Sequence, residues 1–355
     1  MTMERSDIAI IGAGIFGLSA AWALSKRGLK VEVFERGQVG SGASGGLVGA
    51  LSPHMPEKWN PKKAFQLDAL LQAQSFWSEI EAISSLPSGY RRTGRALPLR
   101  SERLRNQALV RAQEVPLLWQ GQADWSVVDT LPGCADSSHG WVLETLSARL
   151  NPRQAVRALA QALRNKGVLI HEHSPVSDAA ELNAGQVVIA AGYSASQFTP
   201  QLPLDFWSAV KGQSALLDVA LPKSMPMVFE SGTYVVPHGA FGTAVGSTVE
   251  HDWTDPSTTD DLLRPVLAHA AELVPALAGA GVKETWAGVR PRARLPDPVI
   301  GQLSESPSIW LLAGGFKIGM GLGPHLGETL ARLIMGEAPS IPPSFTLAHQ
   351  LARCA

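Results

Sequence analysis

Cysteine is almost missing from this chain: Cys134 and Cys354 are the only two in 355 residues. Two thiols make neither a disulfide framework nor a cysteine-rich zinc site. No HExxH or HxE…CxxC pattern is present, and His238 and His251, which flank a predicted strand, lack the spacing of metal ligands. No metal is expected. A long apolar run is absent too. Residues 8–18 hold three glycines and fall short of the about 20 apolar residues that span a bilayer. Charge of one sign is not in excess: 30 Lys+Arg stand against 31 Asp+Glu, a formal net charge of -1. Global charge therefore gives no argument for a nucleic-acid or acidic-membrane partner. The opening MTMERSD runs straight into an apolar strand without a signal-peptide layout, so a cytoplasmic protein is expected. Hydrophobic residues make up 45% and charged residues 17%, a composition able to bury a sizeable core. At about 150 residues per domain the length suggests two domains.

What the chain has in quantity is glycine, 34 residues in three clusters. Residues 7–11 read as a buried parallel strand that runs into Gly12-Ala13-Gly14-Ile15-Phe16-Gly17, then a helix closed by Gly28, then a strand over 30–34 ending at Glu35. This is a βαβ unit carrying GxGxxG in the context a dinucleotide needs. Gly12 permits the tight turn, Gly14 lets backbone approach a pyrophosphate, and Gly17 lets helix and strand pack closely. The helix N-terminus supplies N–H groups and a positive dipole end. Glu35 sits where a carboxylate accepts from ribose hydroxyls, which disfavours a 2′-phosphate. The unit alone does not choose between FAD and NAD. The cluster GSGASGG at 40–46, with Ser41 and Ser44, and the strand-to-turn VVIAAG at 187–192 both bring flexible backbone to a cofactor. Together they favour FAD.

Further along, Asn60-Pro61 opens a helix towards 84, a polar helix covers about 101–114, and Asn151-Pro152 opens a helix to 165. Strands are predicted at 168–171 and 186–190. Residues 203–285 look antiparallel, with a helix near 258–273, and the chain then returns to a strand at 309–315, a glycine loop and a helix over about 324–335. The α/β and antiparallel textures alternate, as in two domains woven from interleaved segments.

These motifs, in this order, resemble the D-amino-acid oxidase superfamily of flavoproteins, and within it the bacterial glycine-oxidase-like branch. The carrying segments are AIIGAGIFGLSAAWALSKRG, VEVFERGQVGSGASGG, VVIAAG, KGQ, YVVPH with VGSTVE, WAGVRP followed by PVIG, and LLAGGFKIGMGLGP. The resemblance implies a Rossmann-like FAD-binding domain of the GR2 type, assigned to 1–87, 140–200 and 286–355. It is interleaved with an antiparallel-sheet α+β substrate domain over 88–139 and 201–285. It implies non-covalent FAD held by Gly12, Gly14, Ile15, Phe16, Gly17, Glu35, Arg36, Ser41, Ala43, Ser44, Gly46, Leu47, Val176, Ala191, Gly192, Gly315, Gly319 and Met320. No cysteine lies near the flavin motifs to form a thioether link.

The implied reaction is oxidation of a small amino acid or secondary amine of the glycine, sarcosine or D-amino-acid type. Hydride passes to flavin N5, the imine hydrolyses, and dioxygen or another acceptor reoxidises the flavin, so no side chain need be catalytic. Arg290 in WAGVRP matches the family position that binds the substrate carboxylate, for which a guanidinium fork is suited. Lys317 stands where glycine oxidases carry another arginine, Phe316 supplies an apolar wall, and Tyr234 aligns with a cavity-lining strand. Relatives carry Asp five residues past the arginine; here Leu295 stands there, with Asp297 two further on. His54 is expected to face solvent. An alternative is a flavin-dependent tRNA-modifying enzyme acting on an aminomethyl-uridine group, because residues 91–111 hold seven arginines (91, 92, 95, 100, 103, 105 and 111) against Glu102. A solvated helix face is the expected explanation of that segment.

Overall fold

Two large sheets, beside a two-stranded one of Ala50–Leu51 and Ala148–Arg149, carry the chain in a computed structural model that describes residues 5–352. The first has six strands, in the order Val299–Leu303, Ser306–Ala313, Ala184–Ile189, Ser6–Ile11, Val31–Phe34 and Leu169–His171. All its pairs are parallel except the hairpin of the first two. Ser6–Ile11 lies at its centre, with Ile10 against Val33 on one side and Val188 on the other. It is buried at every position except Asp7, as a strand covered on both faces must be. The helix Ile15–Ser25 is buried from Ile15 to Leu24, because the helix Gly319–Ile334 lies directly against it. A Cβ on Gly327 would stand 2.5 Å from the Ser19 carbonyl carbon, so the two helices meet backbone to backbone.

The second sheet has eight strands, ordered Val282–Arg292, Ser208–Leu217, Thr243–Gly246, Thr233–Pro237, Met227–Glu230, Arg95–Pro98, Trp141–Glu144 and Trp125–Val128. Only Met227–Glu230 against Arg95–Pro98 is parallel. The long edge pair sets Val210 opposite Arg290, Gly212 opposite Gly288 and Ser214 opposite Trp286.

The two Asn-Pro signals open helices as expected. Asn60 accepts from the Lys63 amide before Pro61–Ser84, and Asn151 from Gln154 before Pro152–Asn165. Elsewhere the elements shift. The last long helix starts at Gly319, five residues before the expected 324, and holds Pro324 inside it. Packing on Ile15–Ser25 holds the extra turn in place. The helix expected to end near 114 runs to Leu118 through Pro116, and the one expected from 258 begins at Leu263.

Sheet membership also departs from the expected domain boundaries. Trp141–Glu144 and Val282–Arg292 both lie in the eight-stranded sheet. The expected breaks at 139/140 and 285/286 therefore cut before one strand of that sheet and through another. The physical reason is the ladder between Ser208–Leu217 and Val282–Arg292, which is continuous from Glu284 through Trp286 to Arg292.

Candidate active site

A cavity of about 940 Å³ is lined by residues of both sheets. At one end lies the glycine loop. Gly12 has φ +108 and a Cβ there would stand 2.5 Å from the Ala190 carbonyl oxygen, so only glycine fits this turn against the neighbouring strand end. Gly14 meets only the Ser44 hydroxyl, 3.1 Å from where its Cβ would be, and faces the cavity. The Ser44 hydroxyl accepts from the Ile15 amide at 3.0 Å, and so fastens the second glycine cluster to the N-terminus of the buried helix. Glu35, itself buried, accepts from the Ala13 amide at 2.8 Å and the Gly37 amide at 2.9 Å. Arg36 donates to the Ser194 hydroxyl at 2.9 Å.

Ile15, Phe16, Ser41, Ala43, Gly46, Leu47, Val176, Ala191, Gly192, Gly319 and Met320 join these as lining residues. Two of the anticipated glycines do not line the cavity. A Cβ on Gly17 would lie 1.9 Å from the Gly12 carbonyl oxygen, and one on Gly315 would lie 2.7 Å from the Phe16 ring. Both act by letting cavity-lining neighbours pack. This end fits FAD. It offers the N-terminus of the helix Ile15–Ser25 for phosphates, a buried carboxylate at the end of the second strand, and a volume at the upper end of ligand sites. Glu35 is the only acid among the described residues that line it.

The other end collects cations and aromatic rings. Arg290, on the strand Val282–Arg292, donates to the Thr248 carbonyl from both terminal nitrogens at 3.1 Å, to the Ser247 hydroxyl at 2.6 Å and to the Lys211 carbonyl at 3.4 Å. None of these partners is a carboxylate. Burial draws its pKa down to about 10, with Glu250 pulling the other way. Lys317 lies with its ammonium 5.4 Å from the centre of the Phe316 ring; burial, then the charge of Arg290, lowers its pKa. It has no acidic partner among the described residues. Phe316 holds a left-handed backbone, φ 32, in a region that disfavours side chains, and its amide donates to the Pro291 carbonyl at 3.2 Å.

Tyr234 lines the cavity with its ring 4.4 Å from that of Phe229, and its hydroxyl lies 3.5 Å from Arg95. The four anticipated substrate-side residues, Arg290, Lys317, Phe316 and Tyr234, thus share one cavity with the anticipated cofactor residues other than Gly17 and Gly315.

The sequence reading missed several groups. Arg95 is not part of a solvated helix face. It is 3% exposed, 3.1 Å from the Glu144 carboxylate, and reaches the cavity wall. His54 does not face solvent: it lines the cavity, 2.6 Å from Gln66 Oε1, and burial lowers its pKa. Trp286 lines the cavity too, its ring 3.3 Å from the Cβ position of Gly46 and 2.3 Å from that of Gly288. A tryptophan with glycine two residues on, facing a glycine cluster, was the available signal. Asp297, offset from the family position, is buried and pairs with Lys62. Of the other arginines in 91–111, Arg100 pairs with Glu230, Arg105 with Asp129 and Arg111 with Glu57.

Residues 7–333 match the family described as FAD dependent oxidoreductase (DAO). The chain is 28% identical to the glycine oxidase of Pseudomonas putida, covering 95% of this chain and 97% of that protein. It is 31% identical to a tRNA 5-methylaminomethyl-2-thiouridine biosynthesis bifunctional protein of Maricaulis maris, covering 94% of this chain and 53% of that protein. The crystal structure of glycine oxidase from Geobacillus kaustophilus has the same fold, with a TM-score of 0.86 at 23% identity over 97% of this chain and 99% of that one. No helix among the described residues is long and apolar enough to cross a membrane.

Proposed function

We infer that this chain, which belongs to the FAD dependent oxidoreductase (DAO) family, oxidises a small amine that carries a carboxylate, of the glycine, sarcosine or D-amino-acid type. The observation that carries this reading is Arg290. It is a largely buried guanidinium at the cavity, bonded to carbonyls and a serine hydroxyl and to no carboxylate. With no carboxylate bonded to it directly, the guanidinium keeps its planar fork for one, which it accepts in bidentate fashion. FAD, when bound, supplies the two-electron acceptor for hydride from the carbon that bears the amine.

The chain's own residues bind and orient. Arg290 takes the substrate carboxylate, and Lys317 adds a second positive charge without a fork. Phe316, Phe229 and Trp286 form apolar walls that keep water from the reacting carbon. The Tyr234 hydroxyl faces the same space and can donate to the carboxylate. An amine reacts as its neutral form, and the two cations favour loss of its proton by simple repulsion. Gly12, Gly14, Glu35 and Ser44 are the groups proposed to hold the cofactor's phosphates and ribose.

The anaerobic test is a flavin-bleaching screen across glycine, sarcosine, D- and L-amino acids, with and without tRNA. Bleaching by a free amino acid supports this reading, and bleaching only by a tRNA-borne aminomethyl group overturns it. The pairing of Arg95, Arg100, Arg105 and Arg111 with acids of this chain leaves fewer charges for a polyanion than the sequence count suggests.

A further inference from the structure

Behind Arg290 lies a polar cluster, buried except for Asp260 at its rim, that the reading above does not use. Lys211 and Gln213 flank Gly212 on the strand Ser208–Leu217 and are 3% and 0% exposed. Beyond the end of the strand Thr243–Gly246, the chain continues through Ser247, Thr248 and Glu250 alongside them. Backbone and side chains hold it there, beginning with Lys211 and Glu250, which exchange both amide-to-carbonyl bonds at 3.0 Å. The Gln213 amide donates to the Thr248 hydroxyl at 2.8 Å, and the Thr248 amide to the Gln213 carbonyl at 3.2 Å. Gln213 Nε2 donates to Glu250 at 3.1 Å and Asp260 at 2.7 Å, and Gln213 Oε1 accepts from the Asp260 amide at 2.8 Å. The Thr248 hydroxyl donates to the Glu250 carboxylate. Lys211 Nζ stands 3.6 Å from Glu250 and 3.9 Å from Asp260. One lysine against two carboxylates leaves this cluster one negative charge in excess, beside the positive charge of Arg290.

We propose that this cluster is the positioning unit for Arg290: it fixes the Thr248 and Lys211 carbonyls and the Ser247 hydroxyl on which the guanidinium rests, so that the fork is already oriented when a carboxylate arrives. Gln213, Thr248, Glu250 and Asp260 then act through Arg290, and their side chains need not touch the substrate. The physical reason is preorganisation. A long arginine side chain held by fixed acceptors loses little freedom on binding, and a site is only as well placed as the groups that support it. A buried ionic cluster is weak evidence for stability, since apolar residues pack as well, whereas a set of acceptors aimed at one guanidinium is what positioning requires. The inference rests on the reading of Arg290 as the carboxylate-binding group.

The test uses the FAD-loaded protein and glycolate, a carboxylate without an amine, as the calorimetric probe. Thr248→Val removes the hydroxyl that links Gln213 to Glu250 and keeps the shape. It is expected to weaken glycolate binding roughly tenfold and to raise KM for the amino acid in step while kcat holds. Thr248→Ser, which restores the hydroxyl, is expected to return both to within about twofold. Asp260→Ala, at a half-exposed position, repeats the test if Thr248→Val does not fold, with about threefold weakening expected. Glycolate binding that is lost in Arg290→Ala but unchanged in Thr248→Val, or in Asp260→Ala in its place, overturns the positioning role alone. Binding that survives Arg290→Ala overturns the reading of Arg290 and the role built on it. A fall in FAD retention and kcat together, with glycolate affinity unchanged, marks a merely structural cluster and also overturns the proposal.

Discussion

Arg290 occupies the space that a side chain on Gly212 would need: a Cβ there would lie 1.9 Å from Arg290 Nη2 and 2.3 Å from Cζ. The guanidinium thus lies flat over the backbone of the neighbouring strand. Gly212→Ala is expected to push it off its Thr248 acceptors and raise KM for the amino-acid substrate at least tenfold, at a cost in stability of about 1–3 kcal/mol from overpacking. Steady-state kinetics beside a denaturant melt check this, and an unchanged KM would show that the guanidinium works from another position.

Removing the guanidinium itself tests the anion site directly. Arg290→Ala is expected to raise KM about 100-fold or more, since a buried charge-assisted bidentate pair is worth roughly 2–5 kcal/mol. Arg290→Lys should recover only part of that, because an ammonium keeps the charge and loses the fork. Substrate titration of both variants reads the difference; equal KM values for the two would sink the bidentate argument.

At the cofactor end, Glu35→Ala strands the Ala13 and Gly37 amides and removes the proposed acceptor for ribose hydroxyls. FAD affinity is expected to fall roughly tenfold or more, at about 1–3 kcal/mol for an unmet buried donor. Turnover at saturating FAD should persist. Titrating apoprotein with FAD by fluorescence quenching measures it, and an unchanged affinity would remove Glu35 from the cofactor site.

His238 gives a pH dependence with a definite sign. It is 6% exposed, and Nε2 lies 2.9 Å from the Leu47 carbonyl of the glycine-rich cofactor loop. Burial, with the charge of Arg149 adding, draws its pKa down to about 4 from an ordinary 6.5, against the pull of the Leu47 carbonyl. A histidine with a lowered folded pKa binds fewer protons folded than unfolded between those values. Its share of stability is therefore intact above about pH 6.5 and is lost as pH falls towards 4, to the extent of about 3 kcal/mol. His54 and His325, also lowered by burial, act in the same direction. His238→Asn should flatten the acid limb of the stability curve, as urea melts from pH 4 to 7.5 would record. A limb as steep as before would assign the dependence elsewhere.

The exposed guanidiniums of Arg91 and Arg103 have no carboxylate partner among the described residues. Their joint replacement by alanine is expected to leave amino-acid turnover within about twofold, because neither lines the cavity and exposed charges act through screened solvent. Loss of turnover with an intact FAD spectrum would reopen the polyanion reading of residues 91–111.

The sequence by itself determined the glycine-loop end of the cavity, because that end is local. Strand, glycine loop, helix, second strand and Glu35 follow one another within about 30 residues, and backbone sterics at Gly12 and Gly17 need no distant partner to be legible. Helix starts at Asn60 and Asn151 were legible for the same reason, a cap being a contact between residues three apart. Membership of the long edge strand was not, since Val282–Arg292 owes its length to pairing with residues 208–217, and no local pattern announces a partner some 75 residues away. The start of the helix at Gly319 likewise depends on a packing neighbour, with Gly327 against Ser19.

What only the tertiary structure decided is the surroundings of the residues proposed for the substrate. Three arginines alternate at 290, 292 and 294, and sequence spacing treats them alike. The ladder separates them: Arg290 lies over Gly212, Arg292 stands 6.0 Å from the Phe316 ring centre, and Arg294 pairs with Asp205. Charge counts misled in the same way at Arg95, which reads as one of seven surface arginines until Glu144 is brought against it. A charge is fixed by residue type, but its surroundings are fixed by long-range pairing, and surroundings decide whether a cation is solvated, neutralised or left for a ligand.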